Sequence, residues 1–254
     1  MNQTGALPAT TTGARILIVE DNSLNQALLA NLLRKYGLRS EIVDNGRKAV
    51  DYLRMNAVDL ILMDIQMPEM DGLTATTLIR GELKLMTPIV AVTSYPEHEA
   101  RPRCAQVGMN DFLPKPIQKD QLEEVLARFL PGIQSASGPS VSTASVVDLN
   151  YLEQITFGDT ELLNELLTAF RDELPGNRNG LFQALEEESR STFTHLAHRF
   201  QSSLNALAML GVAAEMKKLE KNPDLPESII REKLTSLFDE ITLGLAVLDE
   251  QLKR

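Results

Sequence analysis

Leu60-Ile61-Leu62-Met63-Asp64-Ile65-Gln66-Met67-Pro68-Glu69-Met70-Asp71-Gly72 opens with four apolar residues and delivers a carboxylate at their end. Continuous apolarity, without the alternation of a half-exposed strand, suits a strand covered on both faces. Four further runs share that character, at residues 15–19, 40–43, 88–92 and 111–113. Helical patterns lie between and after them, near residues 25–36, 47–55, 73–80, 101–107 and 119–129. Gly37 and Gly108 follow the first and fourth of these, as expected just past a helix end. Five β-α units predict a parallel sheet with helices on both sides. In such sheets ligands bind beyond the carboxyl ends of the strands.

Polar residues collect at those ends. Glu20 and Asp21 follow the first run, Asp64 the third, Thr93 the fourth and Lys115 the fifth. Three carboxylates crowded together would repel and raise one another's pKa values. A hard divalent cation removes the conflict, and Mg2+ is the usual partner of carboxylates and phosphate oxygens. The cation also screens an incoming phosphoryl group, so a carboxylate oxygen can act as nucleophile and form an acyl phosphate. The transferring group spreads its charge over equatorial oxygens, which the Lys115 ammonium and the Thr93 hydroxyl suit. Each residue alone has an ordinary explanation: a helix N-terminal signal, a cap, or a solvated lysine between prolines. Their joint arrival at the expected strand ends points to a phosphoryl-acceptor site.

Residues 131–147 are small, polar and rich in breakers, and read as a flexible linker. A random coil of those 17 residues spans about 20–25 Å. Residues 1–13 read as a disordered lead-in, without the basic start or apolar core of a secretory signal. From Asp148 onward strand signals vanish, and apolar residues recur at helical spacing over 149–155, 162–170, 181–185, 193–211 and 229–252. Breaks are expected at 174–176 and at 222–226. A helical bundle buries such stripes. On the 193–211 helix, projection puts Phe193, Leu196, Phe200, Leu204 and Leu207 on one side. His198 falls roughly opposite, beside Gln201, Ser202 and Asn205, and is expected to be exposed there as a second phosphoryl acceptor. His195 and His98 read as ordinary surface histidines.

Composition narrows the field. The 254 residues allow one large domain or two ordinary ones, and 43% hydrophobic with 24% charged residues is a soluble balance. No apolar run approaches the roughly 20 residues of a bilayer span, so no membrane insertion is expected. One cysteine, Cys104, excludes a disulfide framework and fits a cytoplasmic setting. The net charge of −10 argues against nucleic acid as a partner; about −2 of it lies in residues 1–147 and −8 in 148–254. No Gly-rich phosphate loop marks an ATP site.

Residues 14–130 resemble the receiver domain of bacterial two-component response regulators. The stretches that carry the likeness are Ile16-Leu17-Ile18-Val19-Glu20-Asp21-Asn22, Leu62 to Gly72 as quoted, Ala91-Val92-Thr93-Ser94 and Leu113-Pro114-Lys115-Pro116. The resemblance implies a flavodoxin-like, doubly wound (βα)5 fold with strand order 2-1-3-4-5, an order of which receivers are themselves a standard example. It implies Asp64 as phosphoacceptor, Mg2+ held by Asp21, Asp64 and the Gln66 carbonyl, and Glu20 acting through water. Thr93 and Lys115 would contact the phosphoryl oxygens, and Phe112 takes the switch position where tyrosine is common. Pro96 and Pro102 lead us to expect a short fourth helix starting near Arg101.

Residues 148–254 resemble a histidine phosphotransfer (HPt) domain of four-helix-bundle type. Ala197-His198-Arg199-Phe200 with Ser202-Ser203, and Met216-Lys217-Lys218-Leu219-Glu220, carry that likeness. Gln201 replaces a usual lysine, and Ala208 sits where glycine is common. His198 is the implied phosphoacceptor, with Arg199, Gln201 and Ser202 on the surface around it. Together the likenesses imply a cytoplasmic phosphorelay protein, not an enzyme in the ordinary sense, whose partners are a histidine kinase and a downstream response regulator. Two alternatives stand beside it: a phosphorylation-gated binding module with a degenerate HPt domain, and the C-terminal tail of a hybrid sensor kinase.

Overall fold

The structure, a computed structural model, describes residues 13–130, 146–156, 158–222 and 224–252. The chain divides into two compact units. The expected lead-in at 1–13 lies outside the described residues except for Gly13, and the linker at 131–147 except for Val146 and Val147. Val147 is buried, and the next amide, Asp148 N–H, donates to the Ala208 carbonyl at 2.9 Å. The end of the expected linker is therefore packed structure belonging to the second unit.

Strand and helix alternate throughout residues 15–129: β1 (Arg15–Val19), α1 (Ser23–Lys35), β2 (Arg39–Val43), α2 (Gly46–Met55), β3 (Leu60–Asp64), α3 (Gly72–Gly81), β4 (Ile89–Thr93), α4 (Glu97–Val107), β5 (Asp111–Pro114) and α5 (Lys119–Phe129). All pairings are parallel, in the order β2-β1-β3-β4-β5. Every residue of β3 and β4 is buried, whereas β2, an edge strand, is half open. This is the flavodoxin-like arrangement, and the unbroken apolar runs are those of its central strands.

Local chemistry fixes the loop after Asp64. The Asp71 side chain accepts the Thr74 amide at 2.7 Å and starts α3. A β-carbon at Gly72 would lie 2.1 Å from the Asp64 carbonyl oxygen, so glycine alone lets α3 begin against the end of β3. At Gly108 the chain leaves α4 with φ of 86°, in the left-handed region that glycine enters without penalty.

Helix α4 starts at Glu97, four residues before the expected Arg101, with Pro102 in its interior. Pro102 faces solvent, so the single backbone bond it deletes, to the His98 carbonyl, leaves that oxygen to water. Arg101 also grips Glu97 one turn earlier, Nη2 to Oε1 at 2.6 Å, which supports the first turn.

The second unit is helical: α6 (Leu149–Thr156), α7 (Thr160–Glu186), α8 (Arg190–Ala206), α9 (Leu210–Lys221) and α10 (Glu227–Leu252). Helix α7 packs on α8 and α10, α9 packs on the same two, and α6 leans on α7. Phe200 of α8 stacks between Phe170 of α7 and Phe238 of α10, with centroids 6.0 and 5.5 Å apart. The break expected at 174–176 does not occur, because Pro175 lies on an exposed face of α7. The single helix expected over 193–211 is instead two. It ends at Ala206, and Ala208 takes φ of 58° before α9 begins. The break between α9 and α10 falls where the Asn-Pro signal places it.

Candidate phosphoryl-acceptor sites

Sheet register gathers the first site. Val19 pairs with Met63, Asp64 with Val92, and Thr93 with Pro114, so Glu20, Asp64, Thr93 and Lys115 arrive along one edge of the sheet. Glu20, Asp64 and Thr93 are buried, and Asp21 is half exposed at the mouth. Glu20, Asp21 and Asp64 each bring a ligand oxygen within 4.8 Å of the others. An all-carboxylate set of that spacing fits a hard divalent cation such as Mg2+. Gln66 contributes its amide, which donates to Asp64 Oδ1 at 2.9 Å.

Lys115 is the counter-charge. Its ammonium lies 2.5 Å from Asp64 Oδ2 and 2.8 Å from Glu20 Oε2, with all three side chains withdrawn from water. Burial pushes the Glu20 carboxyl upward; Lys115 pulls it back, Asp64 and Asp21 push it further, and the balance stands at about 7. Burial would lower the Lys115 pKa, but Asp64 and then Glu20 outweigh it and hold the ammonium above the ordinary lysine range. The cluster thus keeps more negative than positive charge in a water-poor pocket, the condition that recruits a further cation.

Thr93 Oγ1 accepts the Tyr95 amide at 3.0 Å, and the Thr93 carbonyl accepts the Lys115 amide at 2.7 Å. Phe112, at the expected switch position, is half-buried against the same core as Tyr95. The Arg101 guanidinium covers its ring at 4.9 Å.

His198 is not exposed. Its residual accessibility is 6%, and Gln201, Ser202 and Asn205 are buried with it, while Arg199 is half-buried. The projection assumes one buried stripe, but every residue of α8 from Phe200 to Ala206 is buried, so its polar side is not a solvent face. The expectation of a surface formed by Gln201 and Ser202 is corrected accordingly. His198 Nδ1 lies 3.1 Å from Glu220 Oε1, on α9. Sequence patterning gives Glu220 no role, although it closes the Met216–Glu220 stretch; a separation of 22 positions becomes a contact only when α8 and α9 pack. His195 is exposed, as is His98, which lies beside Glu99 at 3.7 Å.

No helix among the described residues is long and apolar enough to cross a membrane. Residues 16–127 match the family model of the response regulator receiver domain. Across 237 residues the chain is 29% identical to the signal transduction histidine-protein kinase BarA of Escherichia coli, covering 89% of this chain and 26% of that kinase. It is 36% identical over 129 residues to the osmosensing histidine protein kinase of Saccharomyces cerevisiae, covering 48% of this chain and 11% of the relative. The chain thus spans about a quarter or less of the length of these relatives. Among solved structures, it is similar to the receiver domain of a sensor histidine kinase from Pseudomonas aeruginosa with a magnesium ion coordinated in its active-site cleft. That likeness has 40% identity, covers 46% of this chain and 97% of that one, and has a TM-score of 0.43.

Proposed function

We propose that this chain, whose residues 16–127 are a response regulator receiver domain, is a phosphorelay intermediate that accepts a phosphoryl group on Asp64 and exchanges it through His198. The observation that carries the reading is the buried Glu20–Lys115–Asp64 cluster with Asp21 at its mouth. An Asp64 carboxylate oxygen attacks phosphorus while the bond to the donor's imidazole nitrogen breaks, and the donor histidine leaves in neutral form once protonated. Lys115 shifts from Asp64 Oδ2 to a phosphoryl oxygen, and the Thr93 hydroxyl donates to another. Asp21, Asp64 and the Gln66 carbonyl would hold Mg2+, with Glu20 acting through water, and the cation would supply screening of the negative charge of the reacting groups.

In the second unit Glu220 acts as a positioning residue. Holding Nδ1 of His198 as a donor leaves Nε2 with the lone pair, so Nε2 is the nitrogen that takes the phosphoryl group. We assign the second unit to the histidine phosphotransfer type on the mutual packing of α7 to α10 and the sequence around His198. Its partners would be a histidine kinase and a second receiver, in the cytoplasm of a bacterial cell.

A second reading is favoured by the burial of His198, Gln201 and Ser202. In it the helical unit binds a partner protein, and Asp64 phosphorylation governs access to it without transfer to the imidazole. The test is to incubate the wild-type, Asp64→Ala and His198→Ala chains with acetyl phosphate, Mg2+ and cognate phosphorylated receivers. The relay expects a hydroxylamine-sensitive acyl phosphate lost in Asp64→Ala, and an acid-labile, base-stable label lost in His198→Ala. If the second label never forms, the binding-module reading replaces the relay.

A further inference from the structure

The loop that follows Asp64 is held from outside as well as from within. Inside it, the Met70 amide donates to the Pro68 carbonyl at 2.7 Å and the Gly72 amide to the Ile65 carbonyl at 3.0 Å. Glu69 takes φ of 63°, a left-handed conformation that residues with a β-carbon rarely adopt. Such a conformation persists only where the surroundings fix it. The outer groups come from the start of α2, 24 positions earlier in the chain. The Gly46 amide donates to the Met70 carbonyl at 3.0 Å, and Asn45 Nδ2 reaches Glu69 Oε2 at 3.3 Å and Asp44 Oδ1 at 3.2 Å. Asn45 is buried, and its Oδ1 accepts the Lys48 amide at 2.8 Å, so one side chain both caps α2 and grips the loop.

We propose that Asn45 is a positioning residue for the cation, holding residues 65–71 in the arrangement in which the Gln66 carbonyl can join Asp21 and Asp64 as a ligand. The inference rests on the acceptor reading of Asp64. The Gln66 amide already donates to Asp64 Oδ1 at 2.9 Å, and its carbonyl belongs to the loop that Asn45 and Gly46 hold. A carbonyl is a neutral ligand, and Mg2+ demands near-ideal octahedral geometry, so the backbone has to present that oxygen in place. A loop free to sample other arrangements binds the cation more weakly, by the fraction of time it is competent. Asn45 touches neither the cation nor the reacting atoms; it acts through Glu69.

The test exchanges donor and acceptor in the full chain. Aspartate caps a helix as well as asparagine does but has no amide proton to give, so Asn45→Asp keeps α2 and releases Glu69. When Asn45→Asp is combined with Glu69→Gln, the glutamine amide donates to the aspartate, and the bond returns reversed at the wild-type net charge. Each chain is titrated with Mn2+, the free ion being read by electron paramagnetic resonance, and hydrogen exchange over residues 65–72 is followed without metal. Asn45→Asp is expected to weaken Mn2+ binding roughly two- to tenfold, the worth of one hydrogen bond, and to speed exchange in the loop but not in α2. The double variant returns both readouts to within about twofold of wild type. The added carboxylate by itself would draw a cation in, so weaker binding reports the loop and not the charge. Unchanged or tighter Mn2+ binding in Asn45→Asp overturns the proposal. A double variant as weak as the single one does so too, since the loss then lies with the cap or Asp44. If the wild-type chain takes up no Mn2+, the acceptor reading falls and the role of Asn45 with it.

Discussion

Glu20 carries the strongest pH signature at the scale of single residues. Its pKa is raised in the folded chain from 4.5 to about 7, chiefly by burial. Below the unfolded value the group is protonated in both states and costs nothing. Between roughly 4.5 and 7 the folded state holds a proton that the unfolded state has released, so stability falls as pH rises, by about 1.4 kcal/mol per unit at the steepest. Urea unfolding of the metal-free chain at pH 5 and pH 7.5 should show this loss, Glu20→Gln should remove it, and Mg2+ should reduce it. Equal pH slopes in wild type and Glu20→Gln would refute the assignment. A second prediction concerns Lys115. Lys115→Met leaves Glu20 and Asp64 facing each other without the counter-charge, so unfolding should shift by about 3–5 kcal/mol if both stay ionised, or less where Glu20 takes up a proton. Acyl phosphate formation should fall at least tenfold, read from the initial rate with acetyl phosphate; an unchanged rate would remove Lys115 from the site.

The elements show what sequence patterning can and cannot reach. Central strands of a parallel sheet are apolar on both faces, so β1, β3 and β4 declare themselves, and the polar residues behind them are placed with their strands. The same logic fails on helices wherever one residue stands for a whole element. Pro102 and Pro175 read as boundaries, yet each sits on an exposed face where one lost hydrogen bond is tolerated by a helix held from elsewhere. Replacing Pro175 with alanine restores the bond to the Arg171 carbonyl. It should stabilise the chain by about 1–3 kcal/mol in urea unfolding, less any rigidity proline lends the native chain; a loss of stability would mean the proline shapes α7 productively. Ala208 is the reverse case. Its departure from a common glycine is visible in sequence, but its meaning emerges only with the backbone, at φ of 58° between α8 and α9. Left-handed alanine costs about 1–2 kcal/mol, and its buried methyl returns about 0.8. Ala208→Gly should therefore be neutral to stabilising by about 1 kcal/mol, opposite in sign to the same change inside a helix. His198 is misplaced for a related reason: a projection finds the polar side of one helix, but only the packing of α8 on α9 reveals that Glu220 covers it.

At the scale of the whole molecule, the two proposed acceptors differ in chemistry and in charge environment. Asp64 sits among carboxylates that call for a cation, while His198 sits with one carboxylate in the half of the chain that carries most of the net charge. The stretch joining the units is short enough in sequence that tethering can give an effective concentration around millimolar. If the phosphoryl group passes between Asp64 and His198 of one chain, the wild-type transfer rate should not change as protein is diluted from about 100 to 1 μM. An equimolar mixture of Asp64→Ala and His198→Ala chains has one acceptor on each molecule, so its transfer should slow in proportion to concentration. The rates are read by quenching into alkali, which keeps phosphohistidine and destroys the acyl phosphate. Parallel concentration dependence in both samples would show that the two sites exchange only between molecules of this chain.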